Sequence, residues 1–152
     1  MGALEWNESL RIGVESIDNE HKRLIKIANA IIKISNDSGS KSQLIRALSY
    51  LREYTVVHFL NEEHYMESIH FPSLGEHRQE HARLKNVVKD YQATLYHSES
   101  LEGIDVLGFI RSWLLEHVLK TDMKIKLFAQ ESTVLNNDVA EKHSDVSEKQ
   151  AK

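Results

Sequence analysis

The chain has 152 residues, of which 41% are hydrophobic and 28% charged, and it carries a formal net charge of −4. This is the composition of one soluble globular domain, and the acidic balance gives no reason to expect a nucleic acid or an anionic membrane as a partner. The sequence has no cysteine, no signal-peptide pattern at its start, and no apolar run near the roughly 18 residues of a membrane span. We therefore expect a cytoplasmic protein without disulfides or thiolate metal sites.

The first half of the chain contains two amphipathic segments whose apolar residues repeat with the helical period of 3.6. The first is predicted from about residue 18 to 35, after a non-helical arm, residues 1–17, whose Trp6 and Ile12 we expect to pack on the domain. The second begins after Ser40, which is placed to form a capping box with Gln43.

The second half of the chain contains two more such segments. Phe71 and Pro72 end the second segment, and Ser73 with Glu76 predicts another capping box that opens the third. The fourth runs from about residue 104 to 128, and a polar, weakly ordered tail with room for some helix is predicted at 130–152. Because the connecting loops are short, we predict an all-α, up-down-up-down antiparallel four-helix bundle over residues 18–129.

Histidines and acidic residues gather at one end of this predicted bundle. In the antiparallel topology, the start of the first and third helices lies beside the end of the second and fourth. Seven residues that can bind metal fall at that end: His21, His58, Glu62, His77, His81, His117 and Asp122. Singly, each has an ordinary interpretation, because a lone histidine on an apolar stripe is more often a hydrogen-bonded core residue. Together, five buried imidazoles and two carboxylates without a partner would be costly, and a metal centre removes that cost.

The composition of the predicted site indicates two metal ions. One ion cannot use seven such ligands, whereas carboxylates bridge paired ions about 3.5–4 Å apart. Imidazole suits iron, copper, zinc and nickel, and carboxylate oxygen shifts the preference toward iron or manganese. Two six-coordinate ions offer twelve positions. The seven side chains and a bridging oxide or hydroxide fill all but one, and a vacancy beside two redox-active ions is what dioxygen binding requires.

Other metal-site patterns are weak in this sequence. Ferritin-like bundles use two Glu-x-x-His motifs on different helices, and the one such spacing here, Glu67 to His70, lies at a helix end before the proline. The His-Glu-x-x-His pattern of zinc hydrolases is absent.

The spacing of the seven residues resembles that of the bacterial hemerythrin family throughout residues 5–128. The motifs that carry the resemblance are His21 within IDNEHKRL, HFLNEEHYM around His58 and Glu62, His77-x-x-x-His81, and Trp113-x-x-x-His117-x-x-x-x-Asp122. All seven ligand positions match in order and type.

The resemblance implies a non-haem di-iron protein that binds dioxygen reversibly and is not an enzyme. It implies that His77, His81 and His117 saturate one iron, that His21 and His58 hold the other and leave it one open position, and that Glu62 and Asp122 bridge both. We expect the dioxygen pocket to be walled by Leu24, Ile25, Phe59, Trp113, Leu114 and Val118. The remaining histidines, His64, His70, His97 and His143, match no ligand position and are predicted to be surface residues.

Three further expectations concern the fourth helix, the carboxylate next to Glu62, and the function. His117 and Asp122 are five residues apart, so a regular helix would separate them by about 140°, and we predict a π-type turn between them. Glu63 is expected to point away from the open iron. The alternative functions are a di-iron peroxidase, oxidase or nitric-oxide-handling protein, a dioxygen sensor, or a metal-free structural bundle; an oxygen-using recipient protein is an expected but unidentified partner.

Overall fold

The described part of the computed structural model, residues 3–131 except for the side chain of His117, forms an all-α four-helix bundle. The first three helices are α1 (Glu15–Asn36), α2 (Lys41–Ser68) and α3 (Leu74–His97). The fourth begins as α4 (Val106–Arg111), continues as a π-helical segment (Ser112–Leu119) and ends as α5, residues 120–131. α1 packs on α2 and α4, α2 packs on α3, and the π-helical segment contacts α1 and α3. The predicted fold class is confirmed.

The N-terminal arm packs on the bundle as predicted, with Leu4 and Ile12 buried and Trp6 half-buried against the core. Two details differ from the prediction: the arm contains a short 3-10 turn, Glu8–Leu10, and α1 begins at Glu15 rather than near residue 18. The physical reason is that Asp18 is buried inside the first turns of α1. Its carboxylate accepts hydrogen bonds from the backbone N–H groups of Ile12 (2.7 Å) and Gly13 (3.1 Å) and so joins the arm to the helix.

The helix starts show which sequence signals were reliable. The capping box at Ser40 is confirmed: the Gln43 N–H donates to Ser40 Oγ (3.1 Å), and the Ser40 N–H donates to Gln43 Oε1 (2.8 Å). The box predicted at Ser73 is wrong, because Ser73 has φ −101° and ψ 27° rather than the extended backbone of a capping residue, and its side chain makes no capping hydrogen bond. The cap of α4 is Asp105, which accepts from the Gly108 N–H (2.8 Å).

The end of the fourth helix falls beyond the predicted boundary. Residues 130 and 131 are helical, whereas the tail was predicted to begin at 130. The remainder of that predicted tail, 132–152, lies outside the described residues.

Between residues 3 and 131, two apolar clusters fill the interior. The main cluster runs through most of the bundle and contains, among others, Ile31, Leu48, Leu51, Leu95 and Ile110. The end cluster consists of residues from the arm, from three helices and from the turn before α3: Ile12, Ile17, Met66, Phe71 and Ile125. Each of its helical members lies one or two turns beyond a predicted metal ligand, toward the same end of the bundle. The predicted site therefore lies between two apolar layers.

The α2–α3 turn places Phe71 in the end cluster. His70 adopts a left-handed backbone conformation, with φ 56°, and the Phe71 N–H donates to the Met66 carbonyl at 2.9 Å, as in a Schellman-type helix end.

Within residues 3–131, no helix is long and apolar enough to cross a bilayer.

Candidate metal centre

Six of the seven predicted ligands lie together in a polar layer between the two apolar clusters. They are buried, with 0–4% of their surface exposed, and they come from all four helices: His21, His58, Glu62, His77, His81 and Asp122. The backbone of the seventh, His117, lies in the π-helical segment, and its side chain is outside the described part of the structure. The fold thus brings together residues that are up to 101 positions apart.

Glu62 stands at the centre of this layer and faces four imidazoles. Its Oε1 lies 2.9 Å from Nε2 of His77 and 3.0 Å from Nε2 of His81. Its Oε2 lies 3.2 Å from Nε2 of His58 and 3.5 Å from Nε2 of His21. One carboxylate oxygen therefore faces each pair of histidines.

Asp122 divides its oxygens between the pairs in the same way. Its Oδ1 lies 3.2 Å from Nε2 of His77, and its Oδ2 lies 2.9 Å from Nε2 of His21. The potential ligand atoms of the described side chains form two compact groups, each with its atoms within 4.8 Å of one another. The first is His21, His58, Glu62 and Asp122, and the second is His77, His81, Glu62 and Asp122. We call them the His21/His58 group and the His77/His81 group; both contain both carboxylates.

Several ligand atoms approach one another without forming hydrogen bonds. Within the described part of the chain, Nε2 of His21, Nε2 of His58, Oε2 of Glu62 and Oδ2 of Asp122 are buried and lack a hydrogen-bond partner, although their mutual distances include the 2.9–3.5 Å contacts given above. Buried polar atoms without partners cost free energy. Imidazole nitrogens and carboxylate oxygens that point at a common space fit a metal cation, which would satisfy all of them at once. The residues present therefore fit a metal cofactor.

In the metal-free protein, the buried carboxylates are balanced by protons bound to the neighbouring histidines. Burial by itself lowers the pKa of His21, His58 and His77, but Asp122 and Glu62, together with Glu20 at His58, outweigh it and raise these pKa values to about 9, 10 and 9. Burial would raise the pKa of Glu62, but the surrounding imidazoles hold it well below its usual value. In the metal-free protein, protonated imidazoles thus supply the positive charge that a bound cation would otherwise supply.

Comparison with known proteins decides the family. Residues 12–129 match the family model described as the hemerythrin HHE cation binding domain. The chain belongs to the hemerythrin family. A bacteriohemerythrin of Clostridium acetobutylicum is 30% identical over 121 residues, which are 77% of this chain and 94% of that protein. Myohemerythrin-1 of Phascolopsis gouldii is 29% identical over 121 residues, 80% of this chain and 90% of that protein.

Solved structures agree with this assignment. A crystal structure of wild-type hemerythrin superposes with a TM-score of 0.69 at 28% identity and covers 82% of this chain and 94% of that one. A single-residue variant of hemerythrin superposes with a TM-score of 0.70 at 27% identity. The names of the Clostridium and Phascolopsis relatives are those of hemerythrins rather than of enzymes.

Sequence reasoning missed the carboxylates behind the hemerythrin histidines. Glu20 Oε1 lies 3.0 Å from Nδ1 of His58, and Glu63 Oε2 lies 3.3 Å from Nδ1 of His81. Glu63 points away from the His21/His58 group, as expected, but its specific contact with His81 was not foreseen. Glu20 precedes His21 in the sequence and serves a histidine 38 residues away, so no local motif reveals it. The available signal was general: a metal-bound histidine usually donates its outer N–H to a carboxylate or carbonyl.

All six residues predicted to wall the dioxygen pocket are buried members of the main cluster: Leu24, Ile25, Phe59, Trp113, Leu114 and Val118. The ring of Phe59 stacks on His81 with centroids 3.8 Å apart, and the Trp113 indole N–H donates to the Leu84 carbonyl at 3.0 Å. These contacts place two of the six rigidly. Their role as a ligand wall stays a prediction.

The π-helical turn and the surface histidines were predicted with different success. A π-helical segment is present and includes His117, but it spans Ser112–Leu119 and ends before Asp122, which lies in regular α-helix. The prediction was right about the irregularity and placed it several residues too late. His64, His70 and His97 are exposed, as predicted, and His143 lies outside the described residues.

Proposed function

We propose that this chain binds dioxygen reversibly at a non-haem centre of two iron ions joined by an oxide or hydroxide. The observation that carries the proposal is the division of Glu62 and Asp122, each of which presents one oxygen to the His21/His58 group and the other to the His77/His81 group. Carboxylates so placed are suited to bridge two cations. The mixed imidazole and carboxylate donor set favours iron, and the names of the relatives support this choice.

The two groups would hold iron ions that differ in their number of histidine ligands. The family resemblance assigns His117 to the ion of the His77/His81 group, which would give that ion three histidines. The His21/His58 group has two histidines, which would leave its ion one open position. The iron pair would supply the electrons that make dioxygen binding possible, and the chain's own residues supply its reversibility.

The apolar clusters shield the His21/His58 group from water. The main cluster covers the polar layer on one side, and the end cluster covers it on the other. A polar surface cleft of about 360 Å³, lined by Glu76, Glu80, Lys124 and others, does reach the layer, but it reaches His77 and not His21 or His58. Because protons and water promote irreversible oxidation, a dry His21/His58 group favours a carrier over a di-iron peroxidase, oxidase or nitric-oxide-handling protein.

Mixing the anaerobically reduced, iron-loaded protein with dioxygen tests this function. We expect a rapid change in near-ultraviolet absorption that reverses when dioxygen is purged, followed by much slower autoxidation. Immediate one-way conversion to the oxidised form with release of peroxide would instead support the oxidase alternative. An iron-loaded protein whose spectrum does not respond to dioxygen would exclude both.

His58→Ala tests whether the two ions differ in their number of histidine ligands. We expect this variant to lose the iron of the His21/His58 group more readily than the other iron, because a two-histidine ion cannot spare a ligand. His97→Ala, which removes an exposed histidine, is the matched control and should retain both. Chelator-driven iron release followed over time distinguishes the two losses, and equal loss of both ions from His58→Ala would contradict the assignment.

A further inference from the structure

The outer nitrogens of the site histidines are treated unequally by the fold. Nδ1 of His58 contacts Glu20 and Nδ1 of His81 contacts Glu63, while the Nε2 atom of each ring faces the shared carboxylates. Nδ1 of His21, by contrast, is buried and has no hydrogen-bond partner among the residues that the structure describes. Among the described residues, Glu20 is thus the one outer carboxylate on the His21/His58 group.

Glu20 and Glu63 also differ in what surrounds them. Glu63 shares its charge with Arg78, whose Nε lies 3.3 Å from Glu63 Oε1. Glu20 Oε2 accepts a hydrogen bond from the Asn61 side-chain amide at 2.7 Å, and no lysine or arginine of the described residues forms an ion pair with it. Its side chain is 18% exposed. The negative charge of Glu20 therefore acts mainly on His58, whereas Arg78 partly neutralises the charge of Glu63.

We propose that Glu20 is a positioning residue that, through His58, sets the metal affinity of the His21/His58 group. A carboxylate at Nδ1 holds the proton on that nitrogen, keeps the Nε2 lone pair directed at the cation and strengthens it as a donor. Asn61 fixes the carboxylate in the orientation that this requires. The inference rests on the proposed function in one respect only, namely that two separate cations occupy the two groups.

The test is a competitive Zn²⁺ titration of the full chain against a chelator, because Zn²⁺ accepts the same ligands and has no redox chemistry. We expect the wild-type chain to bind two ions in two resolved steps. Glu20→Gln should weaken one step by about 10- to 100-fold and leave the other in place. Glu63→Gln should weaken the other step by less, since Arg78 already offsets that carboxylate. Glu53→Gln, an equal charge change at an exposed residue of α2 that lies more than two helical turns from Glu62, should leave both steps unchanged.

A spectroscopic measurement separates positioning from general damage. In the Zn²⁺-loaded protein, the Nδ1 proton of His58 should give a downfield NMR signal that shifts upfield in Glu20→Gln, whereas the corresponding His81 signal should not move. Should Glu20→Gln fold poorly, Asn61→Ala frees the carboxylate without removing it and should weaken the same step by a smaller factor. If both variants bind Zn²⁺ as the wild-type chain does, or weaken both steps equally, the proposal is wrong.

The outcome does not depend on dioxygen. If the chain binds Zn²⁺ in two steps but its iron form does not bind dioxygen reversibly, the proposed function is wrong. The role of Glu20 is then still decided by the Glu20→Gln titration. One Zn²⁺ step in the wild-type chain would overturn the pair of ions and the inference together.

Discussion

The main cluster and the polar layer are equally dry but are built from opposite chemistry. Ile31, Leu48 and Leu51 in the main cluster are 0% exposed, and so are His21 and Glu62 in the polar layer. In the main cluster, burial itself stabilises the fold, by roughly 25 cal/mol for each Å² of apolar surface removed from water. In the polar layer, burial of imidazole and carboxylate opposes folding unless each atom finds a partner.

The bundle therefore stabilises the polar layer through apolar contacts that lie outside that layer. Apolar contacts on both sides hold the four helices in place, and the polar layer is then confined at a geometry that its own members leave partly unsatisfied. Such confinement is the preorganisation that a metal centre needs. The main cluster and the polar layer should therefore differ in what each contributes to stability and to metal binding.

Removal of Glu62 should have the largest effect, because four imidazoles share its carboxylate. Glu62→Ala should bind neither cation stably and should destabilise the metal-free protein by about 3–5 kcal/mol, the usual cost of breaking a buried charge pair. Urea unfolding followed by circular dichroism, with metal analysis of the same sample, measures both effects. Glu67→Ala, which truncates an exposed glutamate on the same helix, should stay within about 0.5 kcal/mol of the wild type.

A cavity in the main cluster should cost stability without affecting the metal. Leu48→Ala removes a fully buried side chain from α2 and should lower the free energy of unfolding by about 2–5 kcal/mol. The variant should still take up two Zn²⁺ ions in two steps, since Leu48 lies more than two helical turns from His58. A selective loss of one step would show that the two regions are not separable.

The pH dependence of stability should differ between metal-free and metal-loaded protein. The native metal-free state retains protons on His21, His58 and His77 up to pH values near 9–10, whereas the unfolded chain releases them near 6.5. Their contribution is therefore fully present below pH 6.5 and is lost as the pH rises to 9–10, by about 1.4 kcal/mol per pH unit for each retained proton. Urea unfolding between pH 6.5 and 10 should show this decline in metal-free protein.

The metal-loaded protein supplies the contrast. Metal-bound imidazoles are neutral, so the proton-linked decline should be absent, and uptake of Zn²⁺ near pH 7 should release protons. A pH-stat titration counts them. Uptake without proton release would contradict the description of the metal-free layer as a set of imidazolium groups around two carboxylates.

The smallest effect is expected far from the site, at the start of α2. Ser40→Ala removes the reciprocal capping hydrogen bonds with Gln43 and should cost about 1 kcal/mol. Zn²⁺ binding should not change. An effect on either binding step would mean that helix ends at the distant side of the bundle influence the polar layer.

The sequence predicted the parts of this molecule that depend on periodicity. The four helices and the grouping of the histidines follow from a 3.6-residue repeat and short loops, and the capping box at Ser40 follows from two residues three positions apart. Glu20 could not be predicted in this way, because its partner His58 is brought to it only by the packing of α1 against α2.

Local backbone geometry limited the rest. Ser73 and Glu76 have the letters of a capping box, but the tight turn after Phe71 and Pro72 gives Ser73 a backbone conformation that cannot cap. The spacing of His117 and Asp122 required an irregular turn somewhere, yet spacing alone could not say that the π-helical segment begins at Ser112.

The number of metal ions bound per chain tests the central claim most directly. Metal analysis of the iron-loaded chain, at a protein concentration fixed by amino-acid analysis, should give two ions for the wild type and two for Leu48→Ala, but none retained by Glu62→Ala. One ion per wild-type chain, or two that persist without Glu62, would contradict an account in which shared carboxylates join two cations between the apolar layers.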